Sequence, residues 1–354
     1  MNVLITNIGL GIFSGTVSYV YELALALRDR GDQVEIFSPG GGATAEDLKA
    51  LGIHVVEDIN KLKNTPDIIH IHHNFPGILV LQKFKDVPAI YFLHDRLYIY
   101  DRPIIHKKIL KYIAVDYNCL ERLLNAGIPE PLTAVIFNWV NLDRFKCRNE
   151  FAEKPIRALV FSNYAKKHNH LKLIQQACRD YGIGLDTIGY GSGNYNRSPE
   201  NALQQYELVF AKAKAAMEAM ATGAAVILCD YRGLGEMVTP ANFSYLRKFN
   251  FGMKTLTRPI DKELIIAEIK KFSQVNNRMC TELIREEASF EKIFAQLTTL
   301  YQDTISDYKK GIRGIGGNRL AGLWLELHLR LRQSILYIIF MKLIRRIGSI
   351  LAPD

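Results

Sequence analysis

The sequence has no C-x-x-C pair. Its five cysteines, Cys119, Cys147, Cys178, Cys229 and Cys280, are scattered and odd in number, which excludes a disulfide framework or zinc ribbon and fits a reducing compartment. No run approaches the roughly 18 consecutive apolar residues of a spanning helix. The chain opens directly on strand-like MNVLIT, with no charged and apolar leader regions, so no signal peptide is expected. There is no D-x-D pair, and no Gly-Lys-Ser/Thr follows the first glycine-rich loop, which removes the Walker reading.

What is present describes a folded α/β protein. Its 354 residues predict about two domains, and 48% hydrophobic with 23% charged residues describes a globular chain and not a disordered one. A formal charge of +9 points to anionic partners such as nucleotides, phosphates or an acidic membrane surface, without choosing among them. Short apolar runs alternate with helical patterns: 2–6, 33–37, 53–57, 67–73, 87–95, 112–116 and 134–138 read as strands. Such β-branched runs suit parallel strands buried on both faces. Residues 142–157 are polar and aperiodic and read as a linker. The pattern then restarts with strands at 158–163, 185–189, 207–211 and 225–230, and two or three helices over 262–308. Two doubly wound units, 1–145 and 156–300, would present strand carboxyl ends to each other across a cleft, the default ligand site of such sheets.

Several residues near those ends could carry chemistry. Gly9, Gly11 and Gly15 lie in the loop GLGIFSGT ahead of a helix, where backbone amides and the helix dipole favour an anion; a plain tight turn is the other account. His70 and His72 share a strand face, but no further metal ligand is fixed by the sequence. His94, followed by Asp95 and Arg96, ends a strand where a cleft residue or an ordinary loop residue would stand. Lys166 and Lys167 follow the first strand of the second unit, positioned for a diphosphate or merely for solvent. Lys214 and Glu218 are four apart on one helix, and a weak exposed ion pair would account for both. The helix follows a buried-looking strand directly, however, so Lys212 would stand at its amino terminus, beside free backbone amides.

Taken in order, SGTVSYVYELALALRDRGDQVEIFSP, DIIHIHHN, YFLHD, VIFNWVNLDRF and EAMATGAAVILCDYRGLGEMV resemble a retaining glycosyltransferase of the GT-B fold, most like glycosyltransferase family 4, over about residues 1–300. FNWVNLDRF resembles the family's Asn-Gly-Val-Asp-x-x-x-Phe stretch, with Trp139 replacing the Gly and Asn141 the Asp. The resemblance implies two Rossmann-like domains facing across a cleft, with an acceptor-side first domain and a donor-side second. It implies catalytic roles for His94 and Asp95. It also implies donor contacts for Ser14, Gly15, Lys166, Lys167, Gly189, Lys212, Lys214, Glu218, Gly233 and Glu236. Glu218 matches the second acid of the family's Glu-seven-residues-Glu signature, which accepts hydrogen bonds from the nucleotide ribose. Phe210 stands where the first acid would be, and Ser162-Asn163 replaces the usual Gly-Arg, so Lys212 or Lys214 is expected to bind phosphate directly. The implied partners are a nucleotide-diphosphate sugar and a saccharide or lipid-linked acceptor. No cofactor, divalent metal or nucleic acid is expected. A GT-B sugar-nucleotide epimerase or a non-catalytic nucleotide-sugar-binding scaffold would share this architecture.

Beyond residue 300 the chain reads as a helical, basic amphipathic tail, 301–354. Within 319–351, Leu320, Leu323, Trp324, Leu327, Leu331, Ile335, Ile338 and Ile339 keep helical spacing, threaded by Arg330, Arg332, Lys342, Arg345 and Arg346. That pattern suits an acidic membrane surface, and packing on the core or on a second copy is the other outcome. The expectation is a cytoplasmic protein held at the inner face of the membrane by this segment. Deleting 319–351 should move the protein from the membrane fraction to the soluble one; retention in the membrane fraction would remove the anchoring role.

Overall fold

The computed structural model describes residues 1–11, 14–166, 170–196 and 198–316; Lys167 and the 319–351 segment lie outside them. The first domain's strands are β1 (Asn2–Thr6), β2 (Gln33–Phe37), β3 (His54–Val56), β4 (Ile68–His72), β5 (Ala89–Leu93), β6 (Ile109–Ala114) and β7 (Thr133–Val135). They interleave with helices α1 (Gly15–Asp29), α2 (Ala43–Ala50), α3 (Asn74–Lys83) and α4 (Tyr117–Asn125). The seven strands run parallel in the order β3-β2-β1-β4-β5-β6-β7. Their apolar runs are sandwiched between helix layers, as parallel crossovers require. The order reverses between β1 and β4, so the loops after Thr6 and after His72 open a crevice at the strand carboxyl ends.

The second domain holds β8 (Arg157–Phe161), α5 (Leu171–Asp180), β9 (Gly184–Ile188), α6 (Glu200–Leu203), β10 (Leu208–Ala211), α7 (Ala213–Ala221), β11 (Ala225–Asp230), β12 (Gly233–Met237), α8 (Pro240–Arg247), α9 (Lys262–Ile269) and α10 (Gln274–Glu287), and α11 (Phe290–Lys309) follows it. Its sheet order is β12-β11-β10-β8-β9, with β12 antiparallel to β11. GLGEM is not among the strands expected from the sequence, because two glycines and no β-branched residue hide the strand β12.

Two further differences follow from packing. The 142–157 segment is irregular but not loose, since Phe145 is buried in the second domain's core. Helix α11 runs unbroken across residue 300, and its Ile293, Leu297 and Tyr301 pack into the core of the first domain. The helical pattern alone does not say which sheet it will cover. The chain therefore returns to its starting domain before the described residues end.

A single residue, Lys212, connects β10 to α7. Ala213 then takes φ +52, a left-handed conformation that costs a non-glycine residue about 1–2 kcal/mol. Phe210 belongs to β10, pairs with Val160 and Ile227, and is fully buried in the sheet's core. Counting eight positions back from Glu218 thus lands inside the sheet, because the connection is too short to hold a loop in which an acid could stand.

Gly189, just after β9, has φ +153, and a Cβ there would sit 2.0 Å from the Ser162 carbonyl oxygen. The two loops cross at a distance only glycine permits. Gly189→Ala should cost at least ~3 kcal/mol by urea unfolding; a loss below about 1 kcal/mol would show that the crossing yields easily.

Candidate functional site

A cleft open to solvent, with an enclosed volume of about 110 Å³, lies between the domains. One wall is the amino terminus of α1, Ser14, Gly15 and Ser18; the other includes Ser162, Asn163, Gly189, Lys214 and Glu218. Ser14 makes no side-chain cap on α1, so the first-turn amides are left for a ligand, beside the positive end of the helix dipole. A Cβ on Gly15 would meet nothing within 4 Å; its missing side chain adds room to the cleft. The loop after β8 is tied to that after β9: Asn163 accepts from the Tyr190 amide at 3.0 Å. The Gly191 amide donates to the Asn163 carbonyl at 2.9 Å.

Glu218 and Lys214 are both buried, at 9% exposure each, which corrects the exposed-pair account. The Lys214 ammonium reaches across the cleft to Glu22 Oε2 on α1 at 2.9 Å. The same oxygen accepts from Trp139 Nε1 at 2.6 Å, and the Lys214 cation lies 5.9 Å from the centroid of the Trp139 ring. One residue from each domain and one from their junction thus meet at a single carboxylate. Glu218 is left without that cation as a close partner. Burial pushes its carboxyl up to about 7; Lys214 pulls the other way and the Glu22 charge adds to the rise. Arg144, also at the cleft, is bonded through Nε to Glu200 Oε2 at 2.9 Å.

The remaining sequence candidates distribute as follows. Lys212 caps α7 and pairs with Asp230, fully buried at the end of β11, at 3.2 Å. Both lysines expected at phosphate therefore already face carboxylates. Lys166 is exposed beyond β8. Gly233 and Glu236 do not line the cleft: Gly233 lies in β12 with its Cβ direction closed by the Leu256 and Arg258 carbonyls at 3.0 Å. Glu236 is exposed and accepts from Asn242 Nδ2 at 3.2 Å. Asp95 Oδ1 accepts from the amides of Leu97 at 2.6 Å and Tyr98 at 2.8 Å, so its carboxylate shapes its own loop. His94, half-buried just past β5, is not among the residues that line the cleft but lies within electrostatic reach of Lys214, which does; burial, then His73 and Lys214, lower it to about 3. Its Nε2 is 2.8 Å from His72 Nδ1. His70 and His72 do share a face, with ring centroids 4.4 Å apart. Among the described residues no cluster suited to a metal ion occurs, and no helix is long and apolar enough to cross a membrane.

Sequence reasoning did not single out Glu22, whose signal was a lone acid beside the apolar stripe of α1. Trp139 was seen only as a departure from a motif, and Arg144 was taken for linker.

Two facing Rossmann-like domains with an interdomain cleft at their strand carboxyl ends define the GT-B fold. The comparisons with known proteins agree. Residues 13–144 match the model of Glycosyltransferase Family 4, while no curated protein matches the chain. Among solved structures it is similar to Anabaena Alr3699/HepE in complex with UDP-glucose, with TM-score 0.62 and 15% identity over 86% of this chain and 100% of that one. It is similar to the sucrose-phosphate synthase of Thermosynechococcus elongatus, with TM-score 0.58 and 13% identity over 86% and 99%. The MurG of Acinetobacter baumannii gives 0.51 and 13% over 85% and 99%.

The raised Glu218 carboxyl makes a pH-dependent prediction. In the unfolded chain it ionises near its ordinary 4.5, in the folded one at about 7. Its contribution is therefore fully present below the unfolded value and is lost as pH rises through the folded one. Glu218→Gln should gain on the native protein between these values, by up to ~3 kcal/mol at the plateau. Urea unfolding across the pH range measures this, and a pH-independent difference would contradict it.

Proposed function

We propose that this chain is a glycosyltransferase that moves a sugar from a nucleotide-diphosphate sugar to an acceptor hydroxyl. The observation that carries the reading is the cleft walled by both domains, with the α1 amino terminus on one side and buried Glu218 on the other. Glu218 would accept hydrogen bonds from the ribose hydroxyls, and the α1 amides with the Gly15 backbone would face the diphosphate. His94 would stand on the acceptor side, near the transferred sugar. With Lys212 and Lys214 held by Asp230 and Glu22, stabilisation of the leaving group would fall mainly to oriented amides, with exposed Lys166 as a further cation. Such preorganised dipoles, together with the holding of donor and acceptor in one cleft, supply the rate acceleration.

The match of 13–144 to Glycosyltransferase Family 4 supports the activity, and the UDP-glucose in the similar Anabaena structure supports the donor class. Retention of anomeric configuration rests on the resemblance, and independence of divalent metal on that and on the lack of D-x-D. A role in polysaccharide or glycolipid synthesis would suit a lipid-linked or saccharide acceptor presented at the inner face of a membrane.

Thermal shift with a panel of UDP-, GDP- and dTDP-sugars tests this. At least one should raise Tm, and Glu218→Ala should weaken its binding at least about tenfold, as loss of charged hydrogen bonds does. Because the ribose needs the ionised carboxyl, binding releases a proton. Affinity should rise about tenfold per pH unit up to about 7 and level above it. Binding by none of these donors would favour a scaffold.

A further inference from the structure

His94 meets His72 through one hydrogen bond, His94 Nε2 to His72 Nδ1 at 2.8 Å, and a bond between two neutral imidazoles holds a single proton. Which ring supplies it decides what His94 can do. His72 is fully buried and its other nitrogen, Nε2, is closed off from solvent with no hydrogen-bond partner. If His94 donated, His72 would have to carry its own proton on Nε2, leaving an N–H buried without an acceptor. If His72 donates, the orphan is only a lone pair. Orphaned buried donors are rarer than under-satisfied acceptors, so the second arrangement prevails. His94 Nε2 is then the acceptor, and the proton of His94 must lie on Nδ1. Among the described residues that nitrogen has no hydrogen-bond partner and, unlike His72 Nε2, it is not sealed from solvent.

We propose that His72 is a positioning residue that fixes His94 in the Nδ1–H tautomer, so that His94 meets the bound sugar as a hydrogen-bond donor and not as a general base. The surroundings hold the pair neutral. Phe92 and Tyr19 enclose the rings, with Tyr19 edge-on to His72 at 5.3 Å and to His94 at 4.9 Å. The charged or titratable groups that act on His94 or His72 are His70, His73 and Lys214, each of which disfavours an imidazolium. A neutral donor with its proton on the unpaired nitrogen can bind an oxygen of the substrate, and cannot take the proton of the acceptor hydroxyl at that nitrogen. The contact with sugar rests on the transferase reading; the tautomer does not.

The test is the long-range 1H–15N spectrum of the full chain labelled with 15N-histidine, without any donor present, His94 being assigned through His94→Asn. His94 should show a protonated Nδ1 and a bare Nε2, unchanged between about pH 6 and 8 as expected for a group titrating far below neutrality. A protonated Nε2, or an imidazolium appearing in that range, would overturn the assignment. His72→Phe removes the donor and should leave His94 with mixed tautomers, whereas His72→Gln, whose amide can still donate, should preserve the Nδ1–H form. A His94 pattern indifferent to His72→Phe would also overturn it, and should that variant not fold, the native and His72→Gln spectra decide. If a donor sugar is transferred, His72→Phe should lower kcat about 10- to 100-fold with KM little changed, the size of effect seen when a supporting partner is lost. A correct tautomer in a protein that binds no nucleotide sugar would sink the transferase reading and leave the tautomer standing.

Discussion

The carboxylate of Glu22 organises the cleft. It takes the ammonium of Lys214 from the second domain and the indole N–H of Trp139 from the junction, while its other oxygen is buried without a partner. A buried ion pair of this kind is not in itself a source of stability, because desolvation offsets much of the attraction. What it does supply is registry. Neither Glu22 nor Lys214 can be withdrawn without leaving a charge stranded, at a cost of about 3–5 kcal/mol, so the two domains prefer the one approach in which these groups meet. The Glu218 carboxyl follows from the same arrangement: with its neighbouring lysine committed across the cleft, burial dominates and the group sits close to neutrality.

Much of the fold can be read from the chain because parallel strands covered on both faces leave continuous apolar runs, and each run expected as a strand is one, within a few residues of its expected ends. The misreadings have specific causes. Strand β12 lacks the β-branched side chains that mark the others, and pairs antiparallel at an edge. The destination of α11 is decided by Tyr301 reaching His70 on the far sheet, a contact at 2.5 Å between residues with no local relation.

The site was legible by residue type more than by geometry. Ser14, Gly15, Gly189, Lys214 and Glu218 come together at the cleft, because the first four lie just past strand ends or at helix starts, where topology gathers them, and Glu218 lies one turn beyond Lys214 on α7. The spacing of Lys214 and Glu218 suggested a surface pair because helical periodicity carries no knowledge of a second domain closing over the helix. The missing acid at Phe210 was a matter of chain length: with one residue between β10 and α7, the motif's loop is not there to be filled.

Among the described residues the chain passes between domains at two places, the linker and the turn into α11, and they lie side by side. Val140 donates to the Ala288 carbonyl at 2.8 Å and bridges to Ser289 in parallel register. Two crossings pinned together form a common axis. Relative rotation of the domains is easiest about that line, in the manner of a book about its spine, and groups farther from it travel farther when the cleft opens.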